Sequence, residues 1–151
     1  MRDRYFEDWA VGERLETASV VLTEEQIVAF AREFDPQPFH VDPDAAGASM
    51  FGRLIASGWH TTAVTMRLLV DSGLFGVRGA VGLGVDGLRW TKPVYPGDTL
   101  SVVAEVLEKR ATPDKPSGVL HVRMTTRNQR GEDVMTQTAA ILALRREFAQ
   151  P

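Results

Sequence analysis

Apolar residues follow helical spacing in the first half of the chain and alternate with polar ones in the second. Leu15 to Val21 reads as a strand, β-branched near its end. Thr23 is an N-cap candidate, and Gln26 three residues later completes a capping box. Ile27, Phe30, Ala31 and Phe34 then fall at i, i+3, i+4 and i+7, which predicts one buried helical face. That helix must stop at Asp35-Pro36, because proline pushes its predecessor out of helical geometry. Asp42 to Ala46 predicts a short helical turn, followed by a Gly/Ser-containing loop to Gly52. Leu54 to Val70 is apolar on all sides, as in a buried helix, with Ser57 as N-cap and Gly73 as its stop.

Beyond Gly79 the pattern is strand. Val81, Leu83 and Val85 alternate with Ala80, Gly82 and Gly84, a small-residue face that invites a helix or a ligand to lie close. Leu88 and Trp90 continue on the other parity, which places a bulge near Asp86-Gly87. A turn over 93–98 leads to a strand marked by Leu100, Val102, Ala104 and Val106. A loop over 112–118, a strand with Leu120, Val122, Met124 and Thr126 facing in, a turn over 128–131 and a last strand over 134–144 complete the chain. His121, on the other parity, belongs on the surface. The order implies a single α+β domain over residues 1–151, one antiparallel sheet wrapped around one apolar helix. A short open sheet has edges to manage, and pairing two sheets into a homodimer does so.

Composition narrows the partners. Among 151 residues, 44% are hydrophobic and 25% charged, as in ordinary globular proteins. The net charge of −3, with no basic cluster, argues against nucleic acid. The chain has no cysteine, which excludes disulfides, thiolate catalysis and Cys-bound metal and suits a reducing cytoplasm. No apolar h-region follows Met1, and the longest purely apolar run, about 139–144, is far short of a membrane span. The expectation is a cytoplasmic protein that binds neither membrane nor nucleic acid.

Candidate chemistry gathers at Asp35-Pro36-Gln37-Pro38-Phe39-His40. The prolines predict a stiff, non-helical segment that aims a carboxylate and an imidazole into one pocket, an acid/base pair for one water. The same residues also fit a Pro-rich turn with an exposed histidine. Asp35 sits just past a helix C-terminus, so the helix dipole and burial should raise its pKa. His40, Asp42 and Asp44 alternate like metal ligands, but nothing else supplies a partner at convincing spacing, so solvated carboxylates are expected and no metal. Gly58 falls at N1 of the apolar helix. Its free N–H favours negative charge there, or its missing side chain serves close packing. His60, in the first turn, lines a pocket or is a structural residue.

These pieces together resemble the MaoC-type dehydratases, which include the (R)-specific enoyl-CoA hydratases and have the hot-dog fold. Asp35, Pro38, Phe39, His40 and Ala46 match the family's signature, with Gln37 in place of its asparagine and Glu33-Phe34 in place of its small-residue turn. Ile55-Ala56-Ser57-Gly58 stands where the family usually has Ile-Ala-His-Gly. The run from Leu88 to Asp98 resembles its aromatic, Pro-Val, Gly-Asp pattern. The resemblance covers nearly the whole chain and implies a hydro-lyase acting on an enoyl or 3-hydroxyacyl thioester of CoA or a carrier protein, without a cofactor. It implies that Asp35 and His40 polarise the water, that Gly58 meets the developing oxyanion, and that Gln37 and Ser57 support them. Arg89 and Lys92 are candidates for substrate phosphates or are ordinary surface cations. Phe34, Phe39, Trp59 and Trp90 are candidates to crowd the acyl pocket. An acyl-CoA thioesterase and a non-catalytic acyl-binding subunit are the competing readings.

Overall fold

The computed structural model describes residues 3–149. Helix α1 (Glu24–Phe34) starts where the capping box placed it: Gln26 N–H donates to Thr23 Oγ1 at 3.2 Å, and Thr23 N–H donates to Gln26 Oε1 at 3.0 Å. Of its four predicted core positions only Ile27 and Ala31 are buried. Phe34 lies exposed against Phe30. The helix ends on Asp35, whose N–H reaches Ala31 O at 2.8 Å.

The next segment differs from the expectation. Pro38–Val41 forms a one-turn helix, α2, so His40 is helical and buried rather than held on an extended strap. The reason is position: Pro38 stands at N1, where the fixed φ suits a helix and no N–H is required. Asp42 caps the following turn, α3 (Pro43–Gly47), accepting from Asp44 N–H at 2.9 Å and Ala45 N–H at 3.3 Å. That role accounts for Asp42 without a metal.

The predicted first strand is broken in two, β1 (Arg14–Glu16) and β2 (Val20–Val21), both antiparallel to β4 (Thr99–Ala111). Thr17 in the break still binds β4, donating its N–H to Val102 O and accepting Val102 N–H on Oγ1. With β3 (Val81–Trp90), β5 (Ser117–Arg127) and β6 (Asp133–Leu144) the sheet runs β1-β4-β5-β6-β3, β2 lying off this path on β4. The bulge expected near Asp86-Gly87 is present as a register shift between Asp86 and Arg89 on β6, with Gly87 at φ 61°. His121 is partly exposed beside Glu108.

Helix α4 (Gly58–Asp71) packs on one face of this sheet. Leu68 and Leu69 join Val102, Val122, Met124 and Ile141 in the core. Thr65 donates to Thr61 O at 2.8 Å, so Thr126 donates across to Thr65 at 2.6 Å, a buried polar tie between helix and sheet. The helix is not buried all round as its composition predicted: Trp59, Met66 and Val70 are exposed. So is β3, the outer strand, along Val81, Leu83 and Val85. Its small residues meet nothing, for a Cβ built on Gly82 or Gly84 has no heavy atom within 4 Å. No helix among the described residues is long and apolar enough to cross a membrane.

Candidate active site

Asp35 at the end of α1 and His40 in α2 face each other, with Asp35 Oδ2 3.3 Å from His40 Nε2. His40 Nδ1 lies 2.7 Å from Ile55 O. A carbonyl only accepts, so Nδ1 carries the proton and Nε2 of the neutral ring presents its lone pair to the carboxylate. Two acceptors then face one another, and a proton placed between them satisfies both. That is the geometry of a dyad that takes and returns a proton.

The carboxylate is held on both oxygens. Gln37 Nε2 donates to Oδ1 at 2.8 Å, and Ser57 Oγ donates to Oδ2 at 2.7 Å. Ser57 is fully buried and accepts Trp59 N–H at 3.3 Å, so one hydroxyl both caps α4 and orients Asp35. Burial is the largest single influence on Asp35 and acts to raise its pKa. The hydrogen bonds from Gln37 and Ser57, with the attraction of the His40 ring once it carries the shared proton, outweigh it, and the pKa lies below the ordinary carboxylate value. This reverses the expectation drawn from helix dipole and burial, because both oxygens receive donors and the ionised form is the one they favour.

His40 and Gly58 line one cleft of about 320 Å³, together with Phe39, Phe51, Thr61 and Trp90 among others. Gly58 is the first residue of α4, and among the described residues nothing accepts from its N–H. Its missing side chain is also used. A Cβ there would stand 2.5 Å from Trp90 Cδ2 and Cε2, so the indole lies directly on the glycine. Trp90 Nε1 donates to Thr62 Oγ1 at 3.2 Å, and Thr62 Oγ1 donates to Gly58 O at 2.9 Å, which fixes the ring over the helix start. The two readings of Gly58, free donor and close packing, are therefore both present.

Of the residues expected near substrate, Lys92 lines the cleft, but its ammonium is paired with Glu132. Hydrogen bonds from Lys92, Asn128 and Arg130 hold the Glu132 carboxyl at about 2. Arg89 and Trp59 are not cleft residues. Arg89 donates to Leu88 O, and Trp59, 57% exposed, packs edge-on against Trp90. Phe34 is likewise outside. Phe51 and Thr61 were missed. Thr61 is three residues after Gly58 on the same helical face, a spacing that identifies it, whereas Phe51 sits in a loop with no periodic signal. His60 lies outside the cleft, buried and stacked on Phe30 at 4.6 Å, and burial lowers its pKa.

An Asp–His pair and a free helix-start N–H stand on an antiparallel sheet packed around one long helix, which is the hot-dog fold. The chain belongs to the MaoC-like dehydratase family: residues 7–128 match the MaoC like domain. A MaoC-like dehydratase from Rhodospirillum rubrum superposes with a TM-score of 0.89 at 46% identity, over 95% of this chain and 98% of that one. The unliganded R-hydratase PhaJ1 of Pseudomonas aeruginosa gives a TM-score of 0.72 at 30% identity, over 93% of this chain and 86% of that one. The 3-hydroxyacyl-thioester dehydratase Z of Mycobacterium tuberculosis is 33% identical over 101 residues, 65% of this chain and 67% of its own length.

Proposed function

We propose that this protein is a hydro-lyase that adds water to, or removes it from, an enoyl or 3-hydroxyacyl thioester of CoA or a carrier protein. The observation that carries the reading is the Asp35–His40 contact at 3.3 Å, in which the Ile55 carbonyl sets the His40 tautomer. A water held between Asp35 Oδ2 and His40 Nε2 attacks the β-carbon of the enoyl group. As the new C–O bond forms, the water gives up one proton to the dyad, and negative charge moves onto the thioester oxygen. The Gly58 N–H meets that charge at the helix start, where the dipole adds to the hydrogen bond. The α-carbon then takes a proton back from the dyad, leaving its proton count unchanged. Asp35 and His40 are in contact, so the water and the returned proton come from the same side, and addition is syn. Names of relatives, a thioester dehydratase and an R-hydratase, support the same substrate class and reaction.

The protein works as a homodimer paired along β3. The support is the outer position of that strand and the exposed apolar side chains along it, Leu83 at 55% among them. Unpaired strand edges of this kind are usually covered. Because Trp90 ends β3 and walls the cleft, pairing there brings each site close to the subunit boundary.

Crotonyl-CoA tests the reaction. Loss of enoyl absorbance without release of thiol is the expected result. Release of free thiol would make the protein a thioesterase, and no change in either signal would leave only acyl binding.

A further inference from the structure

A second cavity, of about 670 Å³, opens between the C-terminal half of α4, residues 75–80 and strands β3 and β6. Its walls include Met66, Val70, Ile141 and Leu83, the last on the β3 face that pairs with the second copy in the proposed dimer, and one polar side chain lines it, Gln137. Gln137 is only 6% exposed. Its Nε2 lies 3.5 Å from Met124 Sδ, and its Oε1 has no partner among the described residues. Exchanging amide oxygen and nitrogen does not help, since it leaves two N–H donors unpaired instead. A buried amide in apolar surroundings is costly unless something hydrogen-bonds it. An apolar pocket of this size with one placed polar group has the composition of a small-molecule site.

The cavity and the catalytic cleft lie under the same stripe of α4. Gly58, Thr62, Met66 and Val70 are spaced four apart, and Gly58 to Met66 covers about 12 Å of helix. The Trp90–Thr62 hydrogen bond marks the boundary between them. A chain whose thioester sits at Gly58 must pass the Trp90 ring to follow this stripe, and beyond the ring lie the cavity and Gln137. The geometry points to Gln137 as a specificity residue: the substrate's acyl chain carries a hydroxyl group remote from the thioester, and the Gln137 amide binds it. This rests on the proposed hydro-lyase function and names the kind of acyl group it takes.

The test compares wild type with Gln137→Met, which keeps length and apolar bulk but lacks the amide; Gln137→Leu serves if that variant does not fold. Enoyl-CoA pairs of equal length, one ending in a methyl and one in a hydroxyl, are supplied over a series of lengths. At the length that reaches Gln137, wild type prefers the hydroxyl by about tenfold or more in kcat/KM, and the variant loses or reverses that preference. The same ratio in both proteins at every length overturns the assignment. So does a variant that has lost its dimer while keeping the preference, since the amide then belongs to contact with a second copy. Calorimetric binding of the saturated thioesters repeats the comparison without turnover. Equal ratios there overturn the role of Gln137, while a clear ratio with no hydration of any enoyl thioester overturns the hydro-lyase reading and leaves Gln137 in place.

Discussion

Ser57→Ala removes one hydroxyl with two duties, and the two can be read separately. The hydroxyl accepts Trp59 N–H at 3.3 Å and donates to Asp35 Oδ2 at 2.7 Å. Loss of an N-cap costs ~1 kcal/mol and does so at every pH. Loss of a hydrogen bond to a carboxylate costs about 1.5–3 kcal/mol, but only while the carboxylate is ionised. The folded pKa of Asp35 lies below its unfolded value. Its contribution to stability is therefore present above the unfolded value and fades as pH falls through the folded one. Removing the Ser57 donor raises the folded pKa of Asp35 towards its unfolded value. Two measurements follow. Denaturant unfolding of wild type and variant should differ more near neutral pH than in acid, where only the cap remains. The acid limb of kcat/KM for hydration, which reports groups of the free enzyme, should move to higher pH. An unmoved acid limb with a pH-independent loss of stability would reduce Ser57 to a helix cap and refute its hold on Asp35.

Asp35→Asn and His40→Ala should each lower kcat by ~10²–10⁴ while circular dichroism stays native, since Asp35 is partly exposed and His40 sits in a single helical turn. Gly58→Ala keeps the N–H yet drives a methyl into Trp90, so its activity loss alone is uninformative. In a Trp90→Ala background that clash is gone, and there Gly58→Pro should fall about 10²–10³ below Gly58→Ala in kcat; equal activity would remove the oxyanion role. Leu83→Glu on β3 should convert a dimer into a monomer in sedimentation, and a wild-type protein already monomeric at micromolar concentration would remove the dimer itself.

What was legible in the sequence is local. The Thr23–Gln26 capping box, the stop at Asp35-Pro36, the Ser57 cap and the bulge at Asp86-Gly87 depend on neighbouring residues, and each stands where the pattern put it. Asp35 and His40 were legible as a possible acid/base pair and Gly58 as a helix-start donor, while the supporting roles of Gln37 and Ser57 came through the family resemblance; the four side chains converge, and Gly58 lines a cleft with His40. What failed was set by distant groups. The pKa of Asp35 turned on donors from Gln37 and, 22 residues away, Ser57, and the His40 tautomer on a carbonyl 15 residues away. The one-turn helix at Pro38 was misread because the same proline that breaks a helix interior starts a new one at N1. Apolar Trp59, Met66 and Val70 were assigned to a core. Their exposure follows from strand order, which places β3 at the sheet edge and leaves that side of α4 uncovered.

The central claim is that Asp35 and His40 move protons for a water that attacks the β-carbon. Hydration of crotonyl-CoA in water labelled with both heavy oxygen and deuterium tests it most directly. The predicted product is an intact thioester with heavy oxygen on the β-carbon and one deuterium on the α-carbon, both delivered to the same face. Heavy oxygen found in a free carboxylate, or hydroxyl and deuterium on opposite faces, would contradict it.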